Sequence, residues 1–226
     1  MTFQIDTGND GGGSRGPWLS WTSNGSMQKQ LQAKSWSLRG KSENDEKFEH
    51  NVPAFETGCV MDLDTLQLGW MKDGGQGQAP IKQWNPSISQ ATPRPDEGKK
   101  DNGKFAWSNA LSIRCAIGDG KAATWEQSAF GAYDAFSKLA KKIGAEWSEK
   151  SQNGALLPLV KQSGVEAKVL SSGTSNQPVL EIVQWVPRPD CLKDDAPTIA
   201  TEPAPVEQTP PPAAQPAQEG ATAGGF

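Results

Sequence analysis

The sequence predicts a mainly β domain, a small antiparallel barrel carrying one long helix, followed by an extended, disordered C-terminal tail. Three observations predict it. Short runs with a two-residue apolar period recur along the chain, as strands buried on one face require. One longer run repeats its apolar residues every three or four positions. Beyond Asp190 that periodicity stops and proline accumulates at Pro197, Pro203, Pro205, Pro210, Pro211, Pro212 and Pro216.

The first strand is expected over Pro17–Thr22, where Trp18, Ser20 and Thr22 oppose Leu19 and Trp21. A second covers Lys34–Lys41, with Trp36 and Leu38 sharing a face. Ser42–His50 reads as a charged connection. Phe55–Met71 holds a third strand, with Val60, Asp62 and Asp64 alternating against Cys59, Met61 and Leu63. Lys72–Lys104, rich in Gly and Pro, reads as one long irregular segment, and such segments inside a domain are often functional. Asn109–Gly118 is a fourth strand, in which Leu111, Ile113, Cys115 and Ile117 oppose Ala110, Ser112, Arg114 and Ala116; Asp119-Gly120 marks a turn.

The helix is expected over Ala122–Lys150, capped at Ala122 or Thr124. Trp125, Ala129, Ala132, Phe136, Leu139, Ile143 and Trp147 form one stripe, the pattern of a helix packed on a core. Two strands close the domain. One runs over Leu156–Leu170 and breaks near Ser163-Gly164; the other runs over Val179–Val186, after a turn at Ser171–Asn176. Pro187-Arg188-Pro189 stops it. The expected organisation is a flexible arm over 1–16, a body over 17–189 and a tail over 190–226.

Composition supports a folded body. The 226 residues are 35% hydrophobic and 21% charged, with a mean hydropathy of −0.61. Nine Trp and seven Phe supply core-forming surface that disordered chains lack. The formal charge of −4 is unevenly spread. Asp190–Phe226 holds six acidic residues and one basic, a net of −5, leaving 21 basic against 20 acidic residues elsewhere. The body is therefore close to neutral and the acidity belongs to the tail.

Several classes of function are disfavoured. Met1–Asp10 has neither a basic nor an apolar region, so no secretion signal is expected, and no membrane association is expected because no stretch approaches the roughly 18 apolar residues that span a bilayer. Cys59, Cys115 and Cys191 are odd in number and lack metal-ligand spacing, which suits thiols in a cytoplasm. Gly11–Gly16 matches the letters of a nucleophile elbow and of a dinucleotide-binding loop, but no strand precedes it and no helix follows. His50, the one histidine, sits in the charged connection. Asp62 and Asp64 share a strand face where they could hold a divalent cation, but no third acid stands at motif spacing, and solvent-facing positions are the plainer reading. No enzyme activity, metal or cofactor is expected.

Aromatic residues interleaved with basic ones carry a more specific signal. Trp18, Trp21, Trp36, Trp84 and Trp107 accompany Arg39, Lys41, Arg94, Lys99, Lys100 and Lys104. Flat rings stacking on unpaired bases, beside cations that follow the phosphates, form single-stranded nucleic-acid grooves. The competing reading is burial, which is expected for Trp125, Trp147 and Trp185. The tail ends on Phe226, an aromatic with no local core, available to a pocket on a partner.

Together these features resemble the single-stranded DNA-binding proteins of tailed bacteriophages, an OB-type barrel with an inserted helix and an acidic tail ending in an aromatic residue. Bacterial single-stranded DNA-binding proteins end similarly. Pro17–Leu192 is also similar to uncharacterised phage and prophage proteins of proteobacteria, through Asp62-Leu63-Asp64-Thr65-Leu66, Gly69-Trp70, Trp84-Asn85-Pro86 and Trp185-Val186-Pro187-Arg188-Pro189-Asp190-Cys191-Leu192. The resemblance implies a protein of the host-cell cytoplasm that coats and protects unpaired DNA in replication or recombination, without sequence preference. Its tail and Phe226 would recruit replication or recombination proteins, and self-association stays open. The tail departs from the pattern, since it is Pro-rich and its last acid, Glu219, precedes Phe226 by seven positions. Two alternatives remain: a phage structural or decoration protein, and a carbohydrate-binding β-sandwich whose exposed Trp stack on sugars.

Overall fold

The structure, a computed structural model, describes residues 17–42, 44–75, 78–95, 105–118, 120–152, 156–170 and 173–193. Within them lie β1 (Trp18–Thr22), β2 (Ser35–Lys41), β3 (Lys47–Val52), α1 (Ala54–Thr57), β4 (Cys59–Lys72), β5 (Ile81–Trp84), β6 (Ser108–Ile117), β7 (Lys121–Gln127), α2 (Phe130–Gln152), β8 (Leu157–Leu170) and β9 (Gly173–Val186). A 3-10 turn over Asp190–Leu192 follows.

The strands make one sheet in the order β3-β2-β1-β7-β6-β4-β8-β9, with β5 paired to β4. It curls into a half-barrel, the shape that accumulated strand twist gives a sheet of this width. Among the described residues every strand pairing is antiparallel except β1–β7, where Trp18 lies beside Thr124 and Leu19 beside Trp125.

One face of the sheet is closed by α2. Leu19, Trp21, Trp36, Leu38, Met61, Leu111, Ile113 and Trp125 meet Ala132, Phe136, Leu139 and Ile143 of the helix and Phe55 of α1. The centre is aromatic: Trp36 has ring centroids 4.2 Å from Phe55, 5.2 Å from Trp125 and 5.4 Å from Trp21. Buried indole N–H groups need acceptors. Trp36 Nε1 donates to Gln162 Oε1 at 2.7 Å, and Trp21 Nε1 donates to the Asn176 carbonyl at 2.9 Å.

The opposite face is only partly covered. At one end Val60, Ala116, Leu157 and Leu192 form a second small cluster. Leu192, from the 3-10 turn, is fully buried there, so the folded body reaches past Pro189. Arg188, just before the turn, pairs with both Asp62 and Asp64. Asp62 is a buried residue rather than a solvent-facing one, and a guanidinium occupies the place considered for a cation. Burial pushes the Asp62 carboxyl above its ordinary value, against the pull of Arg188.

The strand phases of β1, β2 and β6 follow the expected alternation. The helix does not begin at Ala122: residues 121–127 form β7, and α2 starts at Phe130. Trp125 fits a two-residue period with Ala123 as well as the helical stripe with Ala129 and Ala132. What decides is β6, whose free edge takes β7 through Leu111↔Gln127 to Ile117↔Lys121, after a reversal in which Gly120 adopts φ 70°. Thr124 is thus a mid-strand residue, not an N-cap.

Two strands were hidden in expected loops. The charged connection contains β3, an edge strand whose polar residues suit its exposure, and His50 stands on it opposite Leu38. The irregular segment contains β5, which pairs only with β4 among the described residues. The break expected near Ser163-Gly164 is a register shift between Gln162 and Gly164, and the expected turn is shorter, since Gly173–Asn176 already belong to β9. Cys59, Cys115 and Cys191 are free thiols; burial raises Cys59, keeping it protonated and unreactive. Among the described residues no helix is long and apolar enough to cross a membrane.

Candidate nucleic-acid interface

On the open face, beyond the Leu192 cluster, a groove of about 970 Å³ runs between β1 and the loop after β5. Trp18 stands at one side of it and Trp84 at the other, both half-buried. The two-residue period explains Trp18: Leu19 and Trp21 enter the core, so Trp18 must point away from it. The floor comes from the alternate residues of the central strands, Ser112 and Arg114 of β6 and Thr124 and Glu126 of β7. These are the polar face opposite Leu111, Ile113 and Trp125.

A bulge in β4 builds the wall beside Trp84. The β4–β6 register shifts between Asp62 and Gln67, which turns Asp64–Leu68 toward the groove. Thr65 stitches the bulge, its hydroxyl donating to the Asp62 carbonyl at 2.7 Å and accepting Arg114 N–H at 2.9 Å. The loop after Trp84 is also fastened. Asn85 N–H donates to the Leu68 carbonyl at 2.8 Å, and Asn85 Oδ1 accepts from Thr92 N–H and Oγ1 at 3.1 and 2.8 Å.

Gly69 lets Trp84 sit there. It pairs directly with Trp84, and a Cβ at this position would come within 2.2 Å of the Gln83 carbonyl oxygen. Gly69→Ala should therefore push β5 off β4 and lower stability by about 1–3 kcal/mol, read as a fall in the urea midpoint. An unchanged midpoint would show that the two strands are not so closely apposed.

The remaining predicted residues are scattered. Trp21, Trp36 and Trp107 are 4%, 0% and 7% exposed and cannot stack on a base, which corrects that expectation for all three. Trp125 is core as expected, whereas Trp147 and Trp185 pack on one another at its margin, with centroids 6.1 Å apart. Arg39 is exposed and lies opposite Trp18 across β1–β2, on the same face. Lys41 is exposed and pairs with Asp45 at 2.6 Å. Arg94 lies 3.3 Å over the Phe105 ring and 6.0 Å from the Trp70 ring, away from the groove lining. Lys99, Lys100, Lys104, the Gly11–Gly16 run, Phe226 and the rest of the tail beyond Lys193 lie outside the described residues.

The groove is not a basic channel. Its charged lining is Arg114, Asp64 and Glu126; Lys82, on the Trp84 side, meets Glu126 at 2.7 Å. None of these had been singled out as contacts, although the polar alternation of β6 and β7 was the available signal. Such a surface offers two flat rings, hydroxyls, amide groups and paired charges.

No family model, no curated protein and no solved structure matches the chain.

Proposed function

We propose that this chain binds single-stranded DNA, without catalysis, by stacking unpaired bases in the groove between Trp18 and Trp84. The observation that carries the reading is the convergence of those two half-buried rings on one open groove. Arg39 beside Trp18 and Arg114 in the floor are the described cations placed to meet the backbone. The resemblance to phage single-stranded DNA-binding proteins makes protection of unpaired DNA in replication or recombination the biological setting. Phe226 and the acidic segment then serve to recruit partner proteins.

Each ring should contribute about 1–3 kcal/mol per stacked base. Trp18→Ala and Trp84→Ala should each weaken binding of a labelled oligonucleotide, measured by anisotropy at low salt, and the double variant more than either. Few phosphates are contacted, so the salt dependence should be shallow. Folded wild-type protein that leaves oligonucleotide anisotropy unchanged at low salt would remove the proposal.

The groove's hydroxyls and carboxylates favour a second reading, a carbohydrate site, in which the same rings stack on sugar faces. Retardation of the protein in a polysaccharide gel, lost in Trp84→Ala and accompanied by no oligonucleotide binding, would select it.

A further inference from the structure

A groove that holds nucleic acid by its phosphates gathers cations, yet two of the three charged residues lining this one are acids. Asp64 and Glu126 line it together with Trp18 and Trp84. Each carboxylate is held by a basic side chain from outside the lining: Arg188 pairs with Asp64, and Lys82 with Glu126. The pairings neutralise charge that would repel a phosphate backbone and fix the carboxylates in place. Access differs between them. The Asp64 side chain retains 49% of its surface exposed, against 8% for Glu126.

An ionised carboxylate only accepts hydrogen bonds. A base stacked on either ring turns its edge toward the groove wall, and the four bases differ at that edge. Cytosine, adenine and guanine each carry an exocyclic amino group that donates, and acidic side chains are natural acceptors for the cytosine N4 amino group. Thymine presents carbonyl oxygens around a single N–H, and those oxygens repel a carboxylate. Arg114 does not offset this, because both pyrimidines keep an O2 acceptor for it.

We infer that the groove selects bases bearing an exocyclic amino group over thymine, with Asp64 as the specificity-determining acceptor. The inference rests on the single-stranded DNA reading above and narrows it, since that reading alone carries no base preference.

Anisotropy titrations with oligo-dC and oligo-dT of equal length, at pH 8 and low salt, test it. Oligo-dC should bind about fivefold more tightly, the scale of one partly exposed hydrogen bond. An oligonucleotide of N4,N4-dimethyl-deoxycytidine, which has no amino hydrogen to donate, should lose that advantage without any change to the protein. Asp64→Asn should compress the dC-to-dT ratio toward one, and Asp64→Glu should restore it, with thermal unfolding confirming that both variants fold. Equal or weaker binding of oligo-dC than oligo-dT, or an undiminished advantage for the dimethylated oligonucleotide, overturns the inference and leaves the DNA-binding reading standing. A ratio unchanged in Asp64→Asn overturns the assignment to Asp64. Failure of every oligonucleotide to bind overturns the nucleic-acid reading and the preference with it.

Discussion

Trp36→Ala should destabilise the fold by about 3–5 kcal/mol, the range for removing a large aromatic from a packed core. Trp36 is fully buried on β2 and touches three other aromatic residues, Trp21, Phe55 and Trp125. Its truncation leaves a cavity and also strands Gln162, whose Oε1 accepts the indole N–H at 2.7 Å. Against a domain stability of roughly 5–15 kcal/mol, that loss is large enough to populate unfolded chains. Trp36→Phe keeps a ring but gives up the hydrogen bond and part of the volume, so it should fall between the two. Urea unfolding followed by far-UV circular dichroism measures both. A loss below about 1 kcal/mol for the alanine variant would mean the ring is not packed as described.

Replacing Arg188 should be comparably damaging, and its effect should depend on pH. Asp62 has 1% of its side chain exposed and Arg188 15%. Removing one partner of a buried pair leaves an uncompensated charge and typically costs about 3–5 kcal/mol. Asp62 already has a folded-state pKa above its ordinary 3.8, because burial outweighs Arg188. A carboxyl raised in this way binds its proton more readily in the folded chain than in the unfolded one. Its contribution is therefore fully present below the ordinary carboxyl range and is lost as pH rises through the folded-state value.

Arg188→Met removes the opposing pull and raises that value further. The variant's deficit should shrink as the pH is lowered and Asp62 takes up its proton, and should grow toward pH 7. Asp62→Asn added to Arg188→Met should recover much of the loss at neutral pH. Thermal unfolding across this range is the measurement. A deficit independent of pH would show that Arg188 acts through packing, for example by seating the Asp190–Leu192 turn, and not through charge.

Much of the body was legible in its periodicities. Alternation placed Leu19 and Trp21 inward and Trp18 outward, and the same pattern phased β6. The helical stripe from Ala132 to Trp147 survived, but its first turns did not, because Trp125 satisfies both periods, with Ala123 in one and Ala129 in the other, and only the open edge of β6 chooses between them. β5 is four residues long and lacks a buried face, so it has no signature apart from its partner β4.

The site was half legible. Trp18 and Trp84 were among the candidates, but so were Trp21, Trp36 and Trp107, because neighbouring cations do not reveal which way a ring points. Trp36 shares its face with Leu38, and that local pattern was the better guide to burial. Asp62 could not be judged from β4 alone, since its partner Arg188 arrives from 126 residues away.

Among the described residues, the parallel β1–β7 junction is the strand pairing that joins the β1–β3 meander to the rest of the sheet. β1, β2 and β3 form a local meander, and the junction by which β1 joins β7 consists of two residue pairs. The Gln127 side chain lengthens it, accepting Trp21 N–H and donating to the Trp21 carbonyl, both at 2.8 Å. These partners are 106 positions apart, so the junction closes a long loop, whereas the β6–β7 and β8–β9 hairpins close short ones. Loop-closure entropy therefore favours the hairpins over the seam. Trp18 sits on that seam, so the groove keeps its β1 side only while the seam is paired. Opening the seam alone would leave the meander and both hairpins paired while removing the Trp18 side of the groove.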